Sequence, residues 1–374
     1  KVYREDGDIP LDDEQCRQFK EANNKMADTG LRVLAVAWTD LPVRDFEPNG
    51  DLYVYVKDLV FNGLVGLQDP PRPEVRDAIA LCHKAGISIK MITGDQKITA
   101  AAIARELGIP GTVVTGIELD KLSDSELAER IDEIGVFTRA TPEQKVRIVL
   151  ALQAHDHVTA MTGDGVNDAP ALKTADIGIA MGLTGTDVAR EAATMVLTDD
   201  NFTTIVKAVR EGRTIYDNIV KFVRFQLSTN IGAILTVLIA PFIGLPLPFT
   251  PIQLLWVNII MDGPPAMALG VDPAQPDTMK VKPRKTTDRI LKLRLLGKLI
   301  AYGTTMMVGT LGIMWWEMQN GTPKHAQSMA FTTFVLFQVF NAFNARVMKR
   351  SIFKSNFFRN RMLWIALFGV VVLQ

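Results

Sequence analysis

Cysteine and histidine are scarce, two and four respectively in 374 residues. Cys16 and Cys82 lie far apart, which excludes a disulfide framework and leaves reduced thiols of a cytoplasmic domain as the expectation. No Cys/His spacing fits a zinc ligand set. His155 and His157, in AHDH, have no further His or Cys nearby and read as an exposed helix end. Net charge is missing as well, since 41 Lys plus Arg balance 41 Asp plus Glu. A chain without a net field has nothing to draw a nucleic-acid partner. The most informative shortage is local: from residue 225 to residue 271 the only ionisable side chain is Asp262. Residues 1–200 are mixed and polar, so the expectation is a chain half soluble and half membrane-embedded. The start, KVYREDGD, has no basic-then-apolar leader, and VVVLQ stops inside an apolar run. Both ends are therefore expected to continue into a longer polypeptide.

What is present in the polar half alternates between helix and strand. A helix over 13–29 leads to strands at 31–38 and 51–66, separated by the polar turn DLPVRDFEPNGD. DPPRPEV, residues 69–75, is a stiff joint in which Pro73 suits the first turn of a helix. Val75, Ile79 and Cys82 share one helical face that Gly86 can end, and a strand over 87–92 runs into Thr93, Gly94 and Asp95. A helix over 96–107 stops at Gly108. Ser123 with Glu126, and Thr141 with Gln144, form capping boxes. Strands at 113–115, 136–138, 158–161, 177–180 and 195–198 complete a parallel, doubly wound sheet.

Open sheets of this kind bind ligands beyond the carboxyl ends of their strands. Asp164, Asn167 and Asp168 emerge there from the run TGDGVNDAPALKTADIGIAMG, residues 162–182. Gly163 and Gly165 let the backbone come close to a phosphate or hydrated metal, and oxygen-only ligands suit Mg2+ rather than zinc. The Thr93 hydroxyl and the Lys145 ammonium are placed to hold phosphoryl oxygens, which with a metal at Asp164 would stabilise an in-line phosphoryl transfer. Taken singly, these residues also suit a surface turn, a helix cap and a solvated lysine.

From residue 201 a helical pattern continues without a breaker into apolar sequence, predicting one stalk helix. Spans of bilayer length fall at 225–242, 252–271, 295–316 and 326–345, with a partial one at 362–374. Arg210, Arg213, Lys221 and Arg224 precede the first span. Lys280, Lys282, Arg284, Lys285 and Arg289 follow the second, and Arg346, Lys349, Arg350 and Lys354 the fourth. Basic loops thus alternate with poor ones, which places them and the polar half in the cytoplasm. A carboxylate at Asp262, deep in a span, pairs, binds a cation or takes up a proton. Asn258 lies one turn earlier, and Gly263, Pro264 and Pro265 free carbonyls that can ligate a cation. The alternative is a protonated structural Asp bonded between helices.

The run 162–182 resembles, residue for residue, the hinge motif of P-type ion-pumping ATPases, whose phosphorylation domain is haloacid-dehalogenase-like. The resemblance extends through DPPR and implies three parts: 1–68, the end of a nucleotide-binding domain; 69–200, a phosphorylation domain; and 201–374, stalk and membrane helices. It implies catalytic roles for Thr93, Lys145, Asp164, Asn167 and Asp168, with Asp164 on Mg2+ and Asp168 on its water shell. Arg32 in TGLRVLAVA, Asp95, and Arg139 in FTRAT would contact ATP. QLLWVNIIMDGPPAMALGVDP resembles the sixth membrane helix of the Ca2+-pumping branch, nearest its secretory-pathway type. That implies Asn258, Asp262 and Asn230 as ligands of transported Ca2+. Where the sarcoplasmic-reticulum type has the threonine and two glutamates of a second site, this chain has Met261, Ala233 and Gln338. One Ca2+ per cycle is therefore expected, with Mn2+ as a second substrate. No DKTGT or TGE string occurs, so the phosphorylated aspartate would come from the remainder of the pump polypeptide, and the piece alone would be inactive. Expected partners are Ca2+ and membrane lipid. A pump for Na+ or H+, a membrane-tethered dehalogenase-like phosphatase, or a non-catalytic fragment remain alternatives.

Overall fold

The computed structural model describes residues 1–3, 7–41, 46, 50–67, 70–284, 290–291, 293–347 and 358–374. Asp69 of the joint, most of the polar turn before residue 51, and Lys285, Arg289, Lys349, Arg350 and Lys354 of the basic loops lie outside the described residues. Two units are present, Lys1–Val206 with Met279–Thr286, and Lys207–Thr278 with Thr287–Gln374.

The first unit opens with α1 (Asp13–Asp28), started by a capping box between Asp12 and Gln15. Strands β1 (Arg32–Trp38) and β2 (Val60–Leu67) pair antiparallel, Arg32 opposite Leu67. The expected strand over 51–66 begins only at Val60. Leu52–Tyr55 form a 3-10 turn instead, because the Asp51 side chain accepts the Tyr53 N–H at 3.0 Å and offers the backbone a local alternative to the ladder. Pro73 opens α2 (Pro73–Lys84), whose Ile79 and Cys82 are buried, and Gly86 turns the chain away at φ +72°.

Strand β3 (Met91–Thr93) is half the length expected. Just before it, the Lys90 ammonium donates to the carbonyls of Ile131, Asp132 and Ile134 at 2.9, 2.9 and 2.6 Å, occupying acceptors where a longer ladder would have run. Then follow α3 (Lys97–Leu107), ended by Gly108 at φ +73°, β4 (Thr112–Thr115), α4 (Gly116–Asp120), α5 (Asp124–Arg130) and β5 (Ile134–Thr138). Next come α6 (Pro142–Ala154), β6 (Ala160–Gly163), a 3-10 turn at Val166–Asp168, α7 (Ala169–Thr174), β7 (Ile177–Met181), α8 (Asp187–Ala192) and β8 (Met195–Leu197). Both expected capping boxes form, and Thr115 with Glu118, like Asp12 with Gln15, makes another that was not expected from the sequence.

All pairings among these later strands are parallel, as expected of a haloacid-dehalogenase-like domain, but the strands make two sheets rather than one. Their orders are β3-β5-β4 and β6-β7-β8. Among the described residues no strand pairs with the free edge of β3 or of β6. Side-chain packing joins what the ladders do not. Helix α6 sends Ile148 and Ala151 into a core with Phe137 and Ile134, and Val149 into a core with Met161 and Leu172; Ile92 of β3 packs against both.

The second unit is all helix. The unbroken helix expected from residue 201 is α9 (Phe202–Phe242), followed by α10 (Pro251–Trp256), a π-helical turn at Val257–Met261, α11 (Gly263–Gly270), α12 (Leu293–Asn320), α13 (Pro323–Arg346) and α14 (Arg361–Leu373). Helices α9 and α12 are long and apolar enough to cross a membrane. The span expected at 252–271 is broken into three pieces, because Gly-Pro-Pro interrupts the helical ladder at Asp262. Helix α9 approaches α12 where small residues allow it: a Cβ on Gly303 would lie 2.9 Å from the Gly232 nitrogen.

Two of the charges read from sequence as flanking the spans also make ion pairs. Lys221 of α9 and Arg346 at the end of α13 are buried, and both pair with the buried Asp272 after α11, at 2.6 and 3.0 Å. Asn360, before α14, donates to the same carboxylate at 3.0 Å, and Asn218 donates to the Asp272 carbonyl at 2.8 Å. Four segments thus meet on one residue. Asp272→Ala removes the carboxylate shared by two buried cations and is expected to cost about 3–5 kcal/mol. Thermal unfolding of the full chain in detergent checks this; an unchanged midpoint would show the clamp to be dispensable.

Candidate functional site

Parallel pairing puts Thr93 beside Thr138 at the carboxyl ends of β3 and β5, and Gly163 beside Ala180 at those of β6 and β7. The Thr93 hydroxyl donates to Asp95 Oδ2 at 2.8 Å and accepts the Asp95 N–H at 3.2 Å, closing the turn into α3. Arg139 is exposed, sits at φ +52° and donates its N–H to the Thr93 carbonyl at 2.8 Å. Thr93, Asp95 and Arg139 are therefore one local cluster. Thr138, expected in the strand but not as a site residue, buries its hydroxyl completely there with no hydrogen-bond partner among the described residues.

A second cluster forms on the loop after β6. Lys145, in the second turn of α6, donates to Asp168 Oδ1 at 2.6 Å, and the other oxygen of Asp168 receives the N–H groups of Asp164 and Gly165 at 3.3 and 3.2 Å. The pair is mostly buried, with 21% and 10% of its side chains exposed. Expected to be poised for phosphoryl oxygens, Lys145 is in this state held by Asp168. Gly163 is obligatory at this close approach: a Cβ there would lie 2.5 Å from the Asp168 Cβ. Asp164 and Asn167 are exposed on the same loop, and the Asp164 carbonyl accepts the Thr186 N–H at 2.8 Å. Arg32 lies apart from both clusters in sequence and sheet, exposed on β1.

In the second unit Asp262 is fully buried, and neither carboxylate oxygen has a hydrogen-bond partner among the described residues. Its own N–H reaches back five residues to the Val257 carbonyl, at 2.9 Å, closing the π turn. Asn258, expected on the face of Asp262, is exposed instead of sharing its burial, and Asn230 on α9 is half-buried. Gln338 is buried with both polar atoms unpartnered among the described residues, Met261 is buried, and Ala233 packs against the same core as Met261.

Comparison with known proteins bears on both units. A family model for haloacid dehalogenase-like hydrolases matches residues 18–176, and one for the cation transporting ATPase C-terminus matches residues 246–374. The chain belongs to the cation-transporting ATPase family. It is 46% identical over 359 residues to calcium-transporting ATPase 1 of Saccharomyces cerevisiae, covering 94% of this chain and 38% of that protein. It is 43% identical over 379 residues to the calcium-transporting ATPase of Bacillus subtilis, covering 100% and 42%. With the human calcium-transporting ATPase type 2C member 1 it shares 43% over 371 residues, covering 98% and 39%. The chain thus spans about two fifths of the length of these relatives.

A further acidic group steadies the loop end of this cation-transporting ATPase chain. Asp200 accepts the N–H groups of Gly182, Leu183 and Thr184 at 2.7, 3.0 and 2.8 Å, and the Thr184 hydroxyl at 2.8 Å. Desolvation pushes its carboxyl up, but the Leu183 and Thr184 donors with that of Gly182 outweigh it and hold the group at about 2. No local sequence pattern marks Asp200, because its partners lie 16–18 residues away.

Two substitutions test these arrangements. Gly163→Ala pushes Asp168 off its loop contacts and is expected to cost about 1–3 kcal/mol, read by thermal unfolding. Asp200 sits at φ +45°, which Asn tolerates. Because its carboxyl is depressed when folded, its contribution is complete above the ordinary carboxylate value of about 4 and is lost as pH falls towards 2. Asp200→Asn should therefore lower the midpoint at neutral pH and flatten its decline between about pH 4 and 2. Parallel pH–stability curves for the two proteins would refute this.

Proposed function

We propose that the chain is part of a P-type pump that hydrolyses ATP to carry Ca2+ out of the cytoplasm, through an aspartyl-phosphate on a residue outside this sequence. The observation that carries the reading is Asp262, a buried carboxylate without a partner among the described residues, beside a helix broken by Gly-Pro-Pro. An acid in such a place binds a cation or a proton. The names of the relatives favour Ca2+. Asp262 would be the central ligand, with Asn258, Asn230 and freed carbonyls completing an oxygen shell that also accepts Mn2+. With Met261, Ala233 and Gln338 supplying no second carboxylate or hydroxyl, one ion moves per cycle.

The soluble unit would do the phosphoryl chemistry. Asp164, an exposed carboxylate on a glycine loop, suits Mg2+, and Asn167 and Asp168 stand on the same loop. Bound there, Mg2+ would supply positive charge against the phosphoryl oxygens. Asp168 orients both the loop and the Lys145 ammonium, and the Thr93 hydroxyl lends a donor from the other sheet. Arg32, Asp95 and Arg139 would contact ATP. Domain limits at 1–68, 69–200 and 201–374 follow from this division, with a multi-pass membrane part and the soluble parts in the cytoplasm. Helix α9 would carry the coupling.

In the full-length pump, Asp262→Asn should reduce Ca2+-stimulated ATP hydrolysis at least about 100-fold, because the central charge is gone. One Ca2+ should move per ATP, measured by paired uptake and hydrolysis assays. Hydrolysis driven by Na+ alone, without a response to Ca2+, would reject the assignment, and full phosphatase turnover in Asp262→Asn would favour a tethered phosphatase.

A further inference from the structure

The amino ends of the parallel strands carry a cluster that the phosphoryl site does not use. Asp132 lies just before β5, and His155 and His157 lie between α6 and β6. His157 Nε2 is 3.1 Å from Asp132 Oδ1, and His155 Nδ1 is 3.5 Å from Asp132 Oδ2. One potential ligand atom from each of the three residues lies within 4.8 Å of the others. We propose that Asp132, His155 and His157 form a surface site for a transition-metal dication of the zinc class.

Distance, donor type and backbone agree on this. Two ligands about 2.0–2.1 Å from a tetrahedral ion stand about 3.3 Å apart, and each imidazole nitrogen is near that distance from one oxygen of Asp132, His157 from Oδ1 and His155 from Oδ2. The two imidazole rings are stacked, with centroids 6.3 Å apart and planes inclined at 26°, and one potential ligand atom of each lies within 4.8 Å of the other. Two imidazoles and one carboxylate suit Zn2+, Co2+ or Ni2+, whereas Ca2+ and Mg2+ take oxygen shells. The site is thus chemically separate from the transported ion and from the phosphoryl metal. All three side chains are exposed, leaving room for water in the remaining coordination positions.

Both sides are pre-set by the fold. Asp156 stands at φ +59°, while the N–H groups of His155 and His157 both reach the Leu152 carbonyl, which ends α6 and holds the two histidines on one tight turn. Opposite, Lys90 grips the backbone carbonyls around Asp132 and leaves both oxygens of its carboxylate to the imidazoles. A metal here would tie the end of α6 to the turn before β5. The competing explanation is a pair of His–Asp ion pairs at a helix end, which needs no metal.

Titration of the chelator-stripped full chain in detergent with Co2+, followed by Zn2+, separates these. One equivalent of Co2+ should give a visible absorption band that Zn2+ displaces and a large excess of Ca2+ or Mg2+ does not. His157→Ala and Asp132→Asn, both at exposed positions, should each weaken Co2+ binding about 100-fold with unchanged far-UV circular dichroism. His325→Ala, remote in sequence, should leave it unaltered. Absence of a saturable equivalent, undiminished binding in both variants, or displacement by Ca2+ would each overturn the proposal.

Discussion

A carboxylate removed from water must be matched by charge or hydrogen bonds, or it destabilises the fold that buries it. Among the described residues three acidic side chains are buried: Asp168, Asp262 and Asp272. Asp168 is matched by Lys145 and two loop N–H groups, and Asp272 by Lys221, Arg346 and Asn360. Asp262 is matched by nothing among them. Two of the three are therefore explained by the architecture they hold together. The third is not explained by any contact among the described residues.

The matched pairs also organise their surroundings. Lys145 stands on α6, whose buried face serves both three-stranded sheets, so its bond to Asp168 fixes the β6 loop to the element that the two cores share. Asp272 does the corresponding work among helices, where apolar packing alone discriminates poorly between neighbouring registers. Its partners arrive from α9, α13 and the start of α14, so a slip of any one segment would leave a charge or amide unpaired. Polar specificity of this kind costs desolvation and returns definition.

Local features were legible in the sequence because their causes are local. Ser123 with Glu126, Thr141 with Gln144, Pro73 at the head of α2 and the glycines at 86 and 108 each act within one turn, and each sits where the pattern put it. The unbroken α9 was equally readable from its missing breakers. Placement of Thr93 and of the Asp164 loop at strand ends followed from parallel alternation alone. What escaped were meetings across distance: Lys221 with Asp272, 51 residues on, and His157 with Asp132, 25 residues back. Periodicity names the face a residue occupies, not the element opposite. Strand adjacency was hidden for the same reason, and two sheets appeared where one had been expected.

The π turn at Val257–Met261 has a mechanical corollary. Each such turn contains one residue more than an α-helical turn needs, held directly beside Asp262. Were that surplus passed along the chain, the segment it crossed would rotate by about 100° and shift by about 1.5 Å, with no covalent change and little loss of backbone bonding. The helix that carries the unmatched acid thus has slack of its own, enough to re-aim a side chain without moving its neighbours far.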